Sequence, residues 1–238
     1  MSALQHMLKW EFTLLSRYKI IHISILSMVL YFLTTQAIPD MDKPIFHSML
    51  LFFDPAVIGI MFIGALVLFE KSERVLQALV ITPMKVDEYI LSKIISLTTL
   101  SLVSAIVFTS LLYVFSDIGF HLAYLVVGII LTSVMLILFG FILVSRVSSI
   151  NEYLLAMFVS FLGLLFPPML HLSGLYENLL FYLWPTQASL TIFTAVFNST
   201  SVELWEIAYG IFYQFGWIVV LFILAKQAFH KHIVLKGG

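Results

Sequence analysis

The chain has 238 residues, of which 61% are hydrophobic and 11% are charged, and its formal net charge at pH 7 is −1. Soluble domains carry about 25% charged residues, so this composition excludes an ordinary soluble fold and makes lipid the solvent for most of the chain. The chain has no cysteine, which excludes disulfides and thiolate metal sites. The expected fold is an all-α polytopic membrane protein, with room for about six spans of about 20 residues.

Residues 3–19 form the first predicted element, an amphipathic helix. Its apolar side chains recur on one helical face at Leu4, Met7, Leu8, Leu15 and Tyr18. With Trp10 and several basic residues beside them, this pattern predicts a helix that lies on the cytoplasmic face of a membrane. The apolar run that begins at Ile20 ends without a small-x-small cleavage site, so we expect it to remain as a signal anchor and first span.

The apolar stretches predict six transmembrane helices that are joined by polar or turn-rich segments. Their expected boundaries are about 20–37, 49–69, 94–116, 121–144, 153–172 and 206–225. In the fifth of them, Pro167-Pro168 is expected to interrupt the helix, because proline lacks the backbone donor and clashes with the preceding turn.

The uncharged stretch 178–202 allows two interpretations. By composition alone it is a further span, but Trp184-Pro185 divides it into pieces of about ten residues, each too short to cross about 30 Å of hydrocarbon. With six spans, every Lys and Arg except Lys43 lies on the N-terminal side of the membrane. The positive-inside rule therefore favours an outer re-entrant or surface segment over 173–204, and it places both termini in the cytoplasm.

A long polar stretch, residues 70–90, separates the second and third predicted spans. On a helical wheel its polar side chains share one face and its apolar side chains share the other. The polar set is Glu70, Glu73, Arg74 and Gln77, and the apolar set is Val75, Leu76 and Leu79. Thr82 and Pro83 then have the pattern of an N-cap followed by a proline at the first helical position, so a new helix is expected there.

This stretch is longer than the two to eight residues that usually join two helices. We therefore expect a cytoplasmic elbow, a short amphipathic helix whose polar face docks on a soluble partner, and the alternative is an ordinary solvated loop.

The sequence has no phosphate-binding glycine loop and no hydrolase or zinc-protease motif, so the chain is not expected to bind ATP or to be an enzyme. It also has no basic patch for nucleic acid.

Asp54 is the acidic residue that falls inside a predicted span. It can be the N-cap of a helix that starts at Pro55, near the outer surface, or a group that lines a transport pathway.

His47, His121 and His171 fall near the outer ends of spans without metal-ligand spacing. Interfacial anchoring or local hydrogen bonding is therefore expected of these histidines, and no metal site.

The elbow also carries a resemblance to a known family. Its acid–base pairs, the leucines 76 and 79, Thr82-Pro83 and the downstream Leu91-Ser92-Lys93 look like the loop between spans two and three of type-2 ATP-binding-cassette (ABC) exporter permeases. Where such loops usually read Glu-x-Gly-Thr-Leu, this sequence has Glu73-Arg74-Val75-Leu76. The amphipathic first helix, the six spans and the segment before the last span extend the resemblance over most of the chain. Within that family, the chain is similar to small bacterial permeases for fluoroquinolone or other drug export.

This resemblance implies the partners and the coupling residues. The elbow would be the coupling helix that docks on a separate ATPase subunit, which binds ATP and Mg²⁺, while this chain binds no cofactor and pairs with a second permease copy of the same or another kind. The residues that the resemblance assigns to coupling are Glu70, Glu73, Arg74, Leu76, Gln77, Leu79 and Pro83.

The expected function is export of an amphipathic or lipophilic small molecule across a bacterial-type cytoplasmic membrane. One alternative is a secondary transporter, which needs ionisable groups near the membrane midplane and two similar halves. The other is an intramembrane enzyme, which needs at least two facing polar catalytic groups, and Asp54 has no evident partner in the sequence.

Overall fold

The structure is a computed structural model that describes residues 3–37, 44–73, 75–76, 85–175 and 178–234. In these ranges the chain is helical and has no strand. The α-helices are α1 (Ala3–Arg17), α2 (Ile20–Ala37), α3 (Pro44–Ala56), α4 (Ile63–Ser72), α5 (Val86–Ser116), α6 (Leu122–Arg146), α7 (Ile150–Leu172), α8 (Pro185–Phe197) and α9 (Leu204–Phe229). The shorter elements are the π-helical segments Val57–Phe62 and His230–Val234 and the 3-10 turns Leu179–Leu183 and Ser199–Ser201.

Within the described ranges, six helices are long and apolar enough to cross a membrane. They are Ile20–Ala37, Pro44–Ser72, Val86–Ser116, Leu122–Arg146, Ile150–His171 and Leu204–Ile233. The chain is therefore an all-α polytopic membrane protein, which confirms the predicted fold class. The second of these helices consists of α3, the first π-helical segment and α4, which follow one another without a break.

The third span starts earlier than the expected residue 94, because its first turns are polar and still helical. α5 begins at Val86, where the N–H of Lys85 donates a hydrogen bond of 3.1 Å to the carboxylate of Glu88. This bond satisfies one of the backbone donors that an apolar first turn would leave free. The helix start predicted at Thr82-Pro83 lies outside the described residues.

The helix α6 lies at the centre of the bundle, where it packs against α5, α8 and α9 and against the α3–α4 helix. Glycines allow a close approach between α6 and the π-helical segment. A Cβ atom on Gly140 would lie 3.0 Å from the Cα of Ile60, and one on Gly59 would lie 3.1 Å from the backbone nitrogen of Ile137. Small residues have this effect in membrane proteins, where close packing replaces the hydrophobic drive between helices.

Between α7 and α9 the chain returns into the bundle. It leaves α7 after Leu172, and at Trp184 it lies beside Gly163, whose carbonyl accepts a hydrogen bond of 2.8 Å from the indole Nε1. Gly163 precedes the end of α7 by nine residues, so the chain descends by about 13 Å. The helix α8 then runs back, and near its end the carbonyl of Val196 accepts a bond of 2.8 Å from the N–H of His121 at the start of α6.

The helix α8 has 13 residues, with Pro185 at its first helical position. It rises about 20 Å, which is less than the about 30 Å of hydrocarbon in a bilayer. A membrane-crossing role for this helix is therefore excluded by its length. The placement of residues 173–204 as a re-entrant segment on the outer side of a membrane stays a prediction.

The prediction that Pro167-Pro168 interrupts the fifth span is wrong, because α7 runs through both prolines. In a regular helix their N–H groups would bond to the carbonyls of Gly163 and Leu164, which the prolines leave without a helical donor. The returning chain supplies the missing donors. The indole N–H of Trp184 donates to the carbonyl of Gly163, and the hydroxyl of Thr186 donates to the carbonyl of Leu164. A neighbouring segment thus replaces the hydrogen bonds that the prolines cannot make.

Candidate functional site

The structure describes both flanks of the elbow and residues 75–76, and the rest of its middle lies outside the described residues. Arg74, Gln77, Leu79 and Pro83 belong to that undescribed part, so their coupling role stays a prediction. Glu70, Glu73 and Leu76 are described. Glu73 follows the end of α4 and is exposed, whereas Leu76 is buried and belongs to the hydrophobic core.

Glu70 does not share an exposed face with Glu73, which corrects the predicted polar surface. The residue is only 3% exposed. The carboxylate forms an ion pair with Lys93 of α5, and it accepts a hydrogen bond of 2.5 Å from the hydroxyl of Tyr89. Glu70 faces inward because these partners on α5 satisfy its charge inside the bundle.

Lys93 is fully buried between two carboxylates and joins three helices. Its ammonium pairs with Glu70 at the end of α4 and, at 2.7 Å, with Glu11 of α1. We call Glu11, Glu70, Tyr89 and Lys93 the ionic cluster. A buried charge is stable only when partners compensate its lost hydration, so each member of the cluster depends on the others.

The ionic cluster contains two carboxylates and a single ammonium group. Burial raises the pKa of Glu11, the negative charge of Glu70 raises it further, and Lys93 lowers it in part. Glu11 therefore binds a proton at a higher pH than an exposed glutamate does.

Further bonds attach the flanks of the elbow to the rest of the bundle. The ammonium of Lys71 donates to the carbonyls of Val144 and Val147, both at 2.9 Å, at the end of α6. A lysine in this position satisfies carbonyls that the end of a helix leaves free. Asp87 at the start of α5 forms a partly exposed ion pair of 2.8 Å with Lys226 of α9. Both flanks are thus connected to α6, α9 and α1.

Sequence reasoning missed Glu11 and Lys93, although the sequence contains a signal for both. Glu11 lies three residues after Leu8 and four before Leu15, on the apolar face of α1, and Lys93 lies four residues before the buried Leu97. A charge on an apolar face needs a partner of the opposite sign inside the fold. An acidic and a basic side chain that both lie on apolar helix faces are therefore expected to form an ion pair with each other.

The interpretation of Asp54 as an N-cap is wrong, because Asp54 lies inside α3 and the helix continues through Pro55. The helix remains unbroken there because a π-helical segment follows, in which the backbone hydrogen bonds change register. Asp54 is 2% exposed, and it accepts a hydrogen bond from the hydroxyl of Ser104 on α5. It is a buried acid within a span that pairs with a hydroxyl group, and its role in a transport pathway stays a prediction.

The bundle contains apolar cavities beside α7. One cavity of about 630 Å³ lies between α6, α7 and α9, and its lining includes Met135, Phe139, Arg146, Gly163, Trp184 and Trp217. Another, of about 350 Å³, lies between α7 and the α3–α4 helix, and its lining includes Phe53, Met61, Met157, Phe158, Phe161 and Met169. Both volumes fall in the range of about 300–1,000 Å³ that small-molecule sites occupy.

Aromatic side chains hold the returning segment against α9. The hydroxyl of Tyr209 donates to the carbonyl of Tyr182 at 2.5 Å, and that of Tyr213 donates to the carbonyl of Leu183 at 2.6 Å. The rings of Tyr209 and Tyr213 stack at 5.3 Å, and Tyr213 meets Trp217 at 6.4 Å. These rings form a continuous stripe that leads along α9 to the wall of the larger cavity.

The three histidines predicted at span ends are placed apart from the ionic cluster. His121 shares a hydrogen bond of 2.9 Å with Ser199, and Nδ1 of His171 accepts one of 3.4 Å from the N–H of Asn178. His47 is buried against Phe197. In the part of the chain that the structure describes, no group of three metal-binding side chains occurs.

Comparison with known proteins identifies relatives over the full length. The model of the fluoroquinolones export permease protein family matches residues 2–237. Two proteins of Mycobacterium tuberculosis, the fluoroquinolones export permease proteins of strains CDC 1551 / Oshkosh and ATCC 25618 / H37Rv, are each 32% identical to this chain over 238 residues. The alignments cover 100% of this chain and 99% of each relative. No solved structure matches.

Proposed function

The chain belongs to the fluoroquinolones export permease family, and on that premise we propose that it is the membrane subunit of an ATP-driven ABC exporter. Its substrate is an amphipathic or lipophilic small molecule, drug-like or lipid-like, that leaves across a bacterial cytoplasmic membrane. The full-length similarity to relatives named for fluoroquinolone export carries the proposal. The six apolar helices agree with it, because a permease must cross the membrane several times.

The bonds at the flanks of the elbow support its proposed role as the coupling helix. ATP and Mg²⁺ bind to a separate ATPase chain, and closure of that chain pushes on the elbow. The push reaches α1 and α5 through Lys93, and it reaches α6 through Lys71. Rigid connections of this kind convert a local movement into a rearrangement of packed helices.

A second permease copy, identical or related, completes the proposed assembly. The helix α7 has apolar side chains that remain exposed in the single chain, among them Leu155, Phe158 and Val159. Such a surface can meet lipid or another copy, and the resemblance to type-2 ABC permeases favours a dimer.

The experiment that tests the proposal removes the polar side chains of the elbow. The triple variant Glu73→Ala, Arg74→Ala, Gln77→Ala is produced together with the ABC ATPase that is proposed as its partner, and ATP-dependent uptake of a fluoroquinolone is measured in inside-out vesicles. We expect normal accumulation in the membrane, and a loss of uptake and of substrate-stimulated ATP hydrolysis. Asp117→Asn serves as the control, since it changes an exposed turn residue after α5 and keeps a side chain that tolerates its positive φ of 54°. Normal uptake by the triple variant contradicts the coupling role.

The buried Asp54 is the observation that favours a second candidate, a proton-coupled secondary transporter. The two candidates separate in liposomes that contain this chain without an ATPase. A pH gradient should drive fluoroquinolone uptake there only if the chain is a secondary transporter, and Asp54→Asn should then abolish it. Uptake that needs the ATPase and ATP supports the exporter.

The proposed orientation has both termini and the elbow in the cytoplasm. Because the chain has no cysteine, single cysteines can be introduced without background. In intact cells, a cysteine at Ser72 or Gly238 should resist an impermeant thiol reagent, whereas one at Asp117 or Ser199 should react. Labelling of Gly238 from outside contradicts this orientation.

A further inference from the structure

The cavity between α6, α7 and α9, which we call the α6 cavity, has an elongated shape. Its lining on α6 forms one helical stripe that runs from Met135 through Phe139 and Ile142 to Arg146. This stripe covers twelve residues, which are eleven rises of the helix, so the cavity is about 16 Å long. With a volume of about 630 Å³, it suits an extended small molecule.

Aromatic rings form walls of the α6 cavity, and one of them is fixed by a bond to the backbone. The indole N–H of Trp184 already donates to the carbonyl of Gly163 at 2.8 Å, so Trp184 offers a ligand its ring and no hydrogen-bond donor. Trp217 and Phe139 supply further rings to the lining. Flat aromatic ligands gain most from such walls, because rings attract one another in stacked and edge-to-face arrangements.

The hydroxyl groups of the α6 cavity already donate to backbone carbonyls, which leaves Arg146 as its charged group for a ligand. The hydroxyl of Ser160 donates to the carbonyl of Ala156 at 2.7 Å, and that of Thr186 donates to Leu164. Arg146 lies at the end of the cavity, and in the described part of the chain no carboxylate or other acceptor pairs with it. Its guanidinium group has the planar geometry that binds a carboxylate through two parallel hydrogen bonds.

We propose that the α6 cavity is a binding site for planar aromatic molecules that carry a carboxylate. The rings lie against Trp184 and Trp217, and the carboxylate binds Arg146. This site rests on the proposed export function and deepens it, since it assigns the residues that select the substrate by shape and by charge. Arg146 ends α6 on the same side of the bundle as Lys71, so the charged end of the ligand points toward the elbow.

The test compares an acid with its ester. The purified chain in phosphatidylcholine nanodiscs is dialysed to equilibrium against norfloxacin or against norfloxacin ethyl ester, and empty nanodiscs correct for partition into lipid. Arg146→Gln should weaken binding of the acid by at least about tenfold, because it removes a charge-assisted pair, and should change binding of the ester by less than about twofold. Arg17→Gln is the matched control, since it removes a basic residue from the end of α1 without touching the cavity.

A second pair of variants tests the position of the site independently of charge. Gly163 and Gly216 are both helical glycines where an added Cβ meets nothing within 4 Å, but only Gly163 lines the α6 cavity. Gly163→Leu should fill the cavity and weaken binding of both the acid and the ester, whereas Gly216→Leu should leave both unchanged. Because the glycine pair is matched in local space, misfolding would affect both variants or show in their thermal unfolding.

The outcomes separate this site from the proposed function. The proposed site is overturned if Arg146→Gln weakens binding of the acid and of the ester equally, or if Gly163→Leu binds both normally. Either result overturns it even if ATP-driven export is found. A lipid site is the other outcome. Phosphatidylglycerol in the nanodiscs would then displace the acid, and Arg146→Gln would weaken binding of the lipid and leave binding of the acid unchanged. That result overturns the proposed site. The expected binding pattern in a chain that shows no ATP-driven export supports the site and contradicts only the exporter.

Discussion

The two sides of the bundle are held together by different chemistry. On the side of the elbow, the fully buried Lys93 lies between the carboxylates of Glu11 and Glu70. Where the chain returns between α7 and α9, neutral donors such as Trp184 and Thr186 bond to backbone carbonyls instead. Charges tie helices on one side, and directional neutral bonds complete a helix on the other.

This difference predicts how each side responds to change. The loss of one ionic partner leaves an uncompensated buried charge, which costs more than a carbonyl that loses a neutral donor. The ionic side also responds to pH through Glu11, whose pKa burial raises. On the neutral side, burial and the neighbouring Glu206 raise the pKa of Tyr182 to about 12, so its hydroxyl stays a neutral donor over the whole pH range in which carboxylates titrate.

The largest expected effect comes from Lys93→Met. Two buried carboxylates then lack their cation, so the free energy of unfolding should fall by about 3–5 kcal/mol, which thermal unfolding in detergent would detect. Lys226→Met is the matched control, because it breaks the partly exposed ion pair with Asp87 and should cost less than about 1 kcal/mol. Equal effects of the two substitutions would mean that the ionic cluster does not hold α1, α4 and α5 together.

A smaller effect is expected from Thr186→Val on the neutral side. The substitution keeps the shape of the side chain and leaves the carbonyl of Leu164 without a donor, so it should cost about 1–3 kcal/mol. Thr194→Val in the same helix is the control, because the hydroxyl of Thr194 donates to the carbonyl of Leu190 within α8 itself, and its loss should cost less than about 0.5 kcal/mol. A Thr186 variant as stable as the control would show that α7 does not need this donor.

The response to pH should distinguish the two sides further. The folded state raises the pKa of Glu11 above its ordinary value of 4.5, so the folded chain binds the proton more tightly than the unfolded chain. This contribution to stability is complete below that value and is lost as the pH rises through the raised pKa. Thermal unfolding as a function of pH should therefore show a decline that Glu11→Gln removes. We expect a smaller effect than those above, because Lys93 offsets part of the penalty. An unchanged decline in the variant would assign it to another group.

The smallest expected effect on stability is that of Glu73→Ala, since Glu73 is exposed. It should change the free energy of unfolding by less than about 0.5 kcal/mol and nevertheless reduce ATP-driven export. Glu70→Ala should do the opposite and reduce the amount of folded protein, because it removes a carboxylate from the ionic cluster. Quantification of folded protein by size-exclusion fluorescence, beside export, checks both. Similar behaviour of the two variants would contradict the distinction between the buried Glu70 and the exposed Glu73 at the end of α4.

The sequence was sufficient for the number and order of the membrane helices. A long apolar run is stable only in lipid, so composition alone locates spans such as 20–37 without knowledge of their neighbours. The prolines of α7 show where this reasoning stops. Whether Pro167-Pro168 breaks a helix depends on donors from Trp184 and Thr186, which are close in the fold and distant in the sequence.

The candidate site shows the same limit. A helical wheel of residues 70–77 places Glu70 beside Arg74, because a local pattern considers only neighbours along one helix. In the fold, Lys93 is the partner of Glu70, and Glu11 completes the site from α1. The periodicity of two helices must be considered together to find a cluster of this kind.

The double proline of α7 has a consequence for the order in which the chain is made. Translation delivers Gly163 and Leu164 to the membrane before Trp184 and Thr186 have left the ribosome. Until then, two carbonyls of α7 face an environment without donors, and each costs several kcal/mol in hydrocarbon. The newly inserted α7 therefore lacks two hydrogen bonds, and the segment that follows it in the chain can supply them. Biosynthesis itself thus favours the return of the chain beside α7 over its release from the membrane.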